Sequence, residues 1–136
     1  MAESKDILLV ALNAKYIHTA FGMRYLLANL QELGSRAQLI EHSINENGLD
    51  IVEQIVKRNP KIVGIGVYIW NAASVLSVLR ILKAVRPDIQ VVLGGPELSY
   101  EWQEREHLRL CDYLIRGEGE VSFYKLCRDI LSGHPP

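Results

Sequence analysis

The chain has 136 residues, 49% of them hydrophobic, with 15 basic and 16 acidic side chains and a formal charge of −1. That length fits one domain burying roughly two-thirds of the surface its unfolded chain exposes, and the composition excludes a disordered chain. The near-zero charge excludes a long-range field for nucleic acid or an anionic membrane, and no apolar run approaches the ~20 residues of a membrane span.

The first residues, 1–6, lack the basic-then-apolar pattern of a signal peptide, so a cytoplasmic location is expected. Ile7 to Leu12 is short and continuously apolar, the pattern of a strand buried on both faces. Met23, Leu26, Leu27, Leu30 and Leu33 then recur at helical spacing and predict a helix over 22–33, stopped by Gly34. Ala37 to His42 alternates and predicts a strand nearer the sheet edge. Glu46, Asn47 and Gly48 form a loop before a helix carrying Ile51, Val52, Ile55 and Val56, which Asn59-Pro60 ends.

Ile62 to Val67 is the third strand. Asn71 is placed to cap the next helix, which carries Val75, Val78, Leu79 and Leu82. Ile89 to Leu93 is the fourth strand. The charged segment 99–110 predicts a short exposed helix, Asp112 to Ile115 the fifth strand, and 118–131 a last helix with Phe123, Leu126, Cys127 and Ile130 inward. The cysteines, Cys111 and Cys127, match no metal spacing and are expected to be buried thiols without a disulfide.

The order is strand–helix repeated five times. It predicts an α/β, Rossmann-like (flavodoxin-like), doubly wound parallel sheet with strand order 2-1-3-4-5. An eight-fold barrel needs about 250 residues and does not fit. In such a sheet the ligand crevice lies beyond the carboxyl ends of the strands, at the switch point between strands 1 and 3. Its expected lining is Asn13 to Phe21, Tyr68 to Asn71, Gly94 to Ser99 and Gly117 to Glu120.

Two glycine breaks stand on that edge. Gly94-Gly95-Pro96-Glu97 follows strand 4, and Gly117-Glu118-Gly119-Glu120 follows strand 5. Glycine there lets a ligand approach the backbone without meeting a Cβ. Glu118 and Glu120 also suit the positive start of a helix, which explains them without a ligand. Gly64 and Gly66 in strand 3 leave one strand face bare, for close helix packing or for ligand approach. Tyr68 and Trp70 either line a ligand or contact a partner. His18 is a lone loop histidine, more readily a hydrogen-bonding residue than a metal ligand. A phosphate loop, receiver-type acidic residues and a Ser-His-Asp pattern are all absent, leaving no credible nucleophile or base.

Three segments carry a resemblance. Gly22-Met23-Arg24-Tyr25-Leu26-Leu27-Ala28-Asn29-Leu30, Val92-Leu93-Gly94-Gly95-Pro96-Glu97 and Asp112-Tyr113-Leu114-Ile115-Arg116-Gly117-Glu118-Gly119-Glu120 appear in matching order. Together they resemble the N-terminal cobalamin (B12)-binding domain of radical S-adenosylmethionine enzymes. The resemblance implies a cobalamin cofactor held by Asn13, Tyr16, His18, Tyr68, Trp70, Asn71, Gly94, Gly95, Pro96, Glu97, Gly117, Glu118, Gly119 and Glu120. It implies that residues 1–132 form the cofactor domain and 133–136 begin a linker. A C-terminal barrel with S-adenosylmethionine and a 4Fe–4S cluster would follow, in a methyltransferase or an oxidative cyclase. The isolated chain would not catalyse.

The family motif D-x-H-x-x-G is not kept. Asn13 ends the strand, and Gly22 follows His18 one residue too late, so His18 is a poor match to the cobalt ligand and no metal ligand is assigned. Tyr68-Ile69-Trp70-Asn71 replaces the family's Ser-x-Leu. Either aromatic could cover the lower cobalt face or block the corrin. The alternative is therefore a cofactor-free interaction or substrate-positioning domain, with Tyr16, Phe21, Tyr68 and Trp70 against the missing domain or a twin chain in a homodimer.

Overall fold

A computed structural model describes residues 5–14, 20–68, 70–94, 101–115 and 120–134, with the side chains of 20, 21, 101–105, 120 and 121 outside that description. Five parallel strands form the sheet: β1 (Ile7–Asn13), β2 (Ala37–Ser43), β3 (Ile62–Gly66), β4 (Gln90–Gly94) and β5 (Tyr113–Ile115). Their order is β2-β1-β3-β4-β5, as the alternating pattern predicts. The helices are α1 (Ala20–Ala28), α2 (Gly48–Lys57), α3 (Ala72–Val85), α4 (Glu101–Leu110) and α5 (Glu120–Leu131). None of these is long and apolar enough to cross a membrane.

Alternation along β1 shows why its run is wholly apolar. Leu8, Val10 and Leu12 enter a core with α2 and α3, whereas Ile7, Leu9 and Ala11 enter a second core with α1 and α5. Both faces of the strand are covered over 7–12, which leaves no polar side chain in the strand before Asn13.

Helix α1 departs from the sequence expectation. The 22–33 pattern is one helix on paper, but the α-helix stops at Ala28 and a 3-10 segment runs over Gln31–Arg36. The Asn29 amide donates to the Tyr25 carbonyl at 2.8 Å, and Gln31 takes φ +50°. An Asn side chain on the preceding turn competes with helix continuation. The break still buries both Leu30 and Leu33, which is what their spacing demanded.

Asn47 caps α2 by accepting from the Leu49 N–H at 2.9 Å. Helix α4 is not simply exposed. His107 is buried, and its Nε2 lies 2.9 Å from the Ala72 carbonyl at the start of α3. A carbonyl can only accept, so Nε2 carries the hydrogen.

Asp112, the first residue of the strand 5 signature, lies at the end of the sheet opposite the crevice. Its Oδ2 accepts from the Val91 N–H at 2.7 Å and from Lys83 Nζ at 2.6 Å, while Lys83 Nζ also donates to the Ile89 carbonyl at 2.9 Å. This aspartate joins β4, α3 and the start of β5.

Both cysteines are free thiols. Cys127 is fully buried in the α1/α5 core, and burial pushes its thiol up to about 12. Cys111 is only half-buried, between α4 and β5, which corrects the expectation that both thiols are buried. Its thiol is raised by burial and by the neighbouring Asp112 carboxylate. At pH 8 a thiol reagent is expected to label Cys111 slowly and Cys127 only on unfolding. Peptide mapping after timed alkylation checks this, and equal labelling of both sites would contradict it.

Candidate functional site

The carboxyl edge of the sheet is where β1, β3 and β4 end side by side. Gly66 pairs with Gly94 across β3 and β4, and the Val67 N–H donates to the Gly94 carbonyl at 2.7 Å. Asn13, Tyr68, Trp70, Asn71 and Gly94 all belong to this edge or to the segment that leaves it. Tyr16, His18, Gly95, Pro96, Glu97, Gly117, Glu118 and Gly119 lie outside the described residues, as does the side chain of Glu120, whose backbone opens α5.

Asn71 organises the edge. It occupies the N-cap position of α3, but its side chain makes no capping bond. Instead Nδ2 donates to the Leu12 carbonyl at 3.2 Å and to the Gly66 carbonyl at 3.1 Å, and Oδ1 accepts from the Tyr68 N–H at 2.7 Å. The helix is started by the Asn71 carbonyl, which accepts from Val75 N–H at 2.9 Å. One buried amide thus ties the ends of β1 and β3 to the segment carrying the aromatic pair.

Tyr68 and Trp70 stack, with ring centroids 5.6 Å apart and planes 13° from parallel. Tyr68 folds back over β3. A Cβ at Gly66 would stand 3.2 Å from the Tyr68 ring and 3.0 Å from Met23 Cε, and one at Gly22 would stand 3.9 Å from the Tyr68 hydroxyl. Gly66 therefore leaves the space that the phenol fills, beside α1. Burial holds this phenol above the usual tyrosine range. Gly64 has a plainer reason: a Cβ there would meet Leu9 Cδ2 at 2.9 Å and the Phe123 ring at 3.2 Å. Of the two readings open for this glycine pair, close packing accounts for Gly64. At Gly94 a Cβ would meet, among the described residues, the Ile115 carbonyl alone at 3.5 Å, an ordinary contact.

On the α1 side the edge is polar. Asn13 Nδ2 donates to Glu41 Oε1 at 3.1 Å, and Arg24 Nη2 pairs with Glu41 Oε2 at 3.1 Å. Glu41 and Arg24 were not singled out in the sequence. Their signal was available in the register, because β2 pairs with β1 in parallel and brings Glu41 opposite Ala11, near the strand end. Among the described residues, no group of three or more His, Cys, Asp or Glu has the geometry of a metal site.

Comparison with known proteins agrees with this architecture. The family model of the B12 binding domain matches residues 7–126. The cobalamin-dependent radical SAM methyltransferase TokK of Streptomyces tokunonensis is 34% identical over 77 residues, which are 56% of this chain and 11% of that protein. The 2-(S-pantetheinyl)-carbapenam-3-carboxylate methyltransferase of Streptantibioticus cattleyicolor is 32% identical over 79 residues, 57% of this chain and 12% of that protein. The chain thus spans a small fraction of the length of these curated relatives. Among solved structures, a cobalamin-binding protein from Desulfitobacterium hafniense superposes with a TM-score of 0.65 at 22% identity, covering 92% of this chain and 57% of that one, a likeness of fold. The matched span takes in all five strands and the crevice edge. The chain belongs to the B12 binding domain family.

Proposed function

We propose that this chain binds cobalamin across the carboxyl edge of β1, β3 and β4, as the cofactor module of a larger radical S-adenosylmethionine enzyme of the methyltransferase type. The observation that carries the reading is the family match over residues 7–126, on a sheet whose switch point lies between β1 and β3. The residues present fit the group. Gly94 ends β4 without a side chain, which keeps that part of the edge low under a broad macrocycle, and Gly66 seats the Tyr68 ring beside it. The Tyr68–Trp70 stack offers a flat apolar surface for a corrin face. Asn13, Glu41 and Arg24 offer polar groups to the amide side chains of the ring.

When bound, the cofactor supplies the cobalt that carries a methyl group. The chain positions it and excludes water. His18 stands outside the family's ligand spacing and is a doubtful ligand, and the aromatic pair is the candidate to cover the cofactor on this side. The glycine breaks 94–97 and 117–120 are the proposed backbone contacts for the rest of the cofactor. The iron–sulfur cluster and S-adenosylmethionine belong to a barrel beyond residue 136. The length of the curated relatives supports that arrangement.

Titration with hydroxocobalamin and with methylcobalamin tests the reading. A saturable change in the visible spectrum is expected at micromolar cofactor. No change at high micromolar cofactor would sink it for this chain. The bulk of Tyr68 and Trp70 favours one second reading, a cofactor-free contact domain. Light scattering showing a dimer that buries these rings, with no response to cobalamin, would support that instead.

A further inference from the structure

We infer that Asn71 is a positioning residue for the crevice, acting through the strand ends and the aromatic pair rather than by touching a ligand. Asn71 is 1% exposed, and its amide is fully used. A primary amide has two hydrogens to donate, and both go to carbonyls of different strands, Leu12 of β1 and Gly66 of β3. Its oxygen takes the N–H of Tyr68. The orientation of the amide is dictated by these partners, since two carbonyls need donors and one N–H needs an acceptor.

The placement matters because the switch point is where the two halves of the sheet diverge. Beyond it the chain leaves β1 in one direction and β3 in the other. Asn71 bridges that divergence. It also sets the backbone of Tyr68, hence the seat of the phenol over Gly66 and its stack on Trp70. No other natural side chain reproduces this pattern. Aspartate keeps the acceptor but faces two carbonyl oxygens with a charge. Leucine keeps the volume and loses all three bonds. Serine is too short to reach both strands.

For cofactor affinity this inference rests on the cobalamin reading; for the geometry of the aromatic pair it does not. The test uses both. In a Trp102→Phe background Trp70 is the sole indole of the chain, which has two tryptophans. Asn71→Asp and Asn71→Leu are compared with Asp112→Asn, a variant that also destabilises but lies at the opposite end of the sheet. Asn71→Ser is the milder variant should the first two fail to fold.

Well below each melting temperature, the Asn71 variants are expected to lose the near-ultraviolet dichroism of the stacked pair and to red-shift Trp70 emission. They should also weaken hydroxocobalamin by about tenfold or more, the size of one lost buried interaction. Asp112→Asn should keep both signals at wild-type values. If the folded Asn71 variants keep the Trp70 signature, and bind cofactor as Asp112→Asn does, the positioning role is wrong. If the unsubstituted protein binds no cobalamin, the functional reading fails alone, and the dichroism and emission still decide the role of Asn71.

Discussion

Replacing Phe123 by alanine is expected to cost about 3–5 kcal/mol, the range for deleting a fully buried ring. Phe123 is 1% exposed and belongs to the α1/α5 core with Leu9, Ile62 and Val92. It meets β3 where Gly64 has no side chain, so ring and glycine form one fitted pair. The converse change, Gly64→Ala, drives a methyl against Leu9 and Phe123 and is expected to cost about 1–3 kcal/mol by overpacking. Because part of that strain comes from the ring, Phe123→Leu should relieve Gly64→Ala in the double variant. Urea unfolding of the four proteins measures the coupling. Strict additivity would mean that the two positions do not share the strain. Helix α5 also carries the end of the 117–120 segment, so loosening Phe123 should weaken cofactor binding as well as stability.

Removing the carboxylate of Asp112 is the second large effect, about 2–3 kcal/mol for Asp112→Ala. The loss has two parts. The Val91 N–H loses its acceptor, and Lys83, whose side chain is only 17% exposed, loses its counter-charge. Lys83 retains the Ile89 carbonyl, which limits the damage. Asp112→Asn should cost less, because an amide oxygen can still accept from Val91. Lys83→Met should cost less than Asp112→Ala, because the carboxylate keeps its backbone donor. Chemical denaturation checks this order. If Asp112→Ala proves neutral, the residue is not the joint between β4, α3 and β5 described above.

The exposed Glu32–Tyr124 pair illustrates a weaker effect. The Tyr124 hydroxyl lies 2.5 Å from Glu32 Oε1, and that bond holds the Glu32 carboxyl below its ordinary range. A carboxyl depressed on folding contributes stability that is present above its unfolded pKa and lost as pH falls through the folded one. Tyr124→Phe should therefore lower stability slightly at neutral pH and leave it almost unchanged at low pH, where Glu32 is protonated, so that the acid limb measured by urea unfolding against pH flattens.

The sheet was legible because its chemistry is one-sided at every step. A strand covered on both faces must be apolar throughout, and Ile7 to Leu12 and Ile62 to Val67 admit no other reading at their length. The break in α1 was not legible. Leu30 and Leu33 keep helical spacing whether the backbone is one helix or a helix followed by a tighter turn, and the deciding bond, Asn29 to Tyr25, is local competition. Asn71 misled for a different reason. An asparagine before a helix reads as a cap, but its amide turns back to Gly66 and Tyr68 and to the Leu12 carbonyl, a strand end far back in the chain that no local pattern announces. The glycine pair divided. Gly64 answers to Phe123, and Gly66 to Tyr68 and Met23, a distinction that needs the facing side chains.

The central place of β1 has a consequence for how the chain acquires its shape. β1 is made first, yet its two neighbours are β2 and β3, so Ile7 waits for both Ala37 and Ile62. On the ribosome the most apolar strand emerges with neither flank covered, and it stays half-satisfied until α2 has been completed and β3 follows. Sheets built from such distant pairings fold slowly and pass through states with unsealed strands. Leu9, Val10 and Ala11 are thus the segment most in need of shielding during synthesis, although they are among the best protected afterwards.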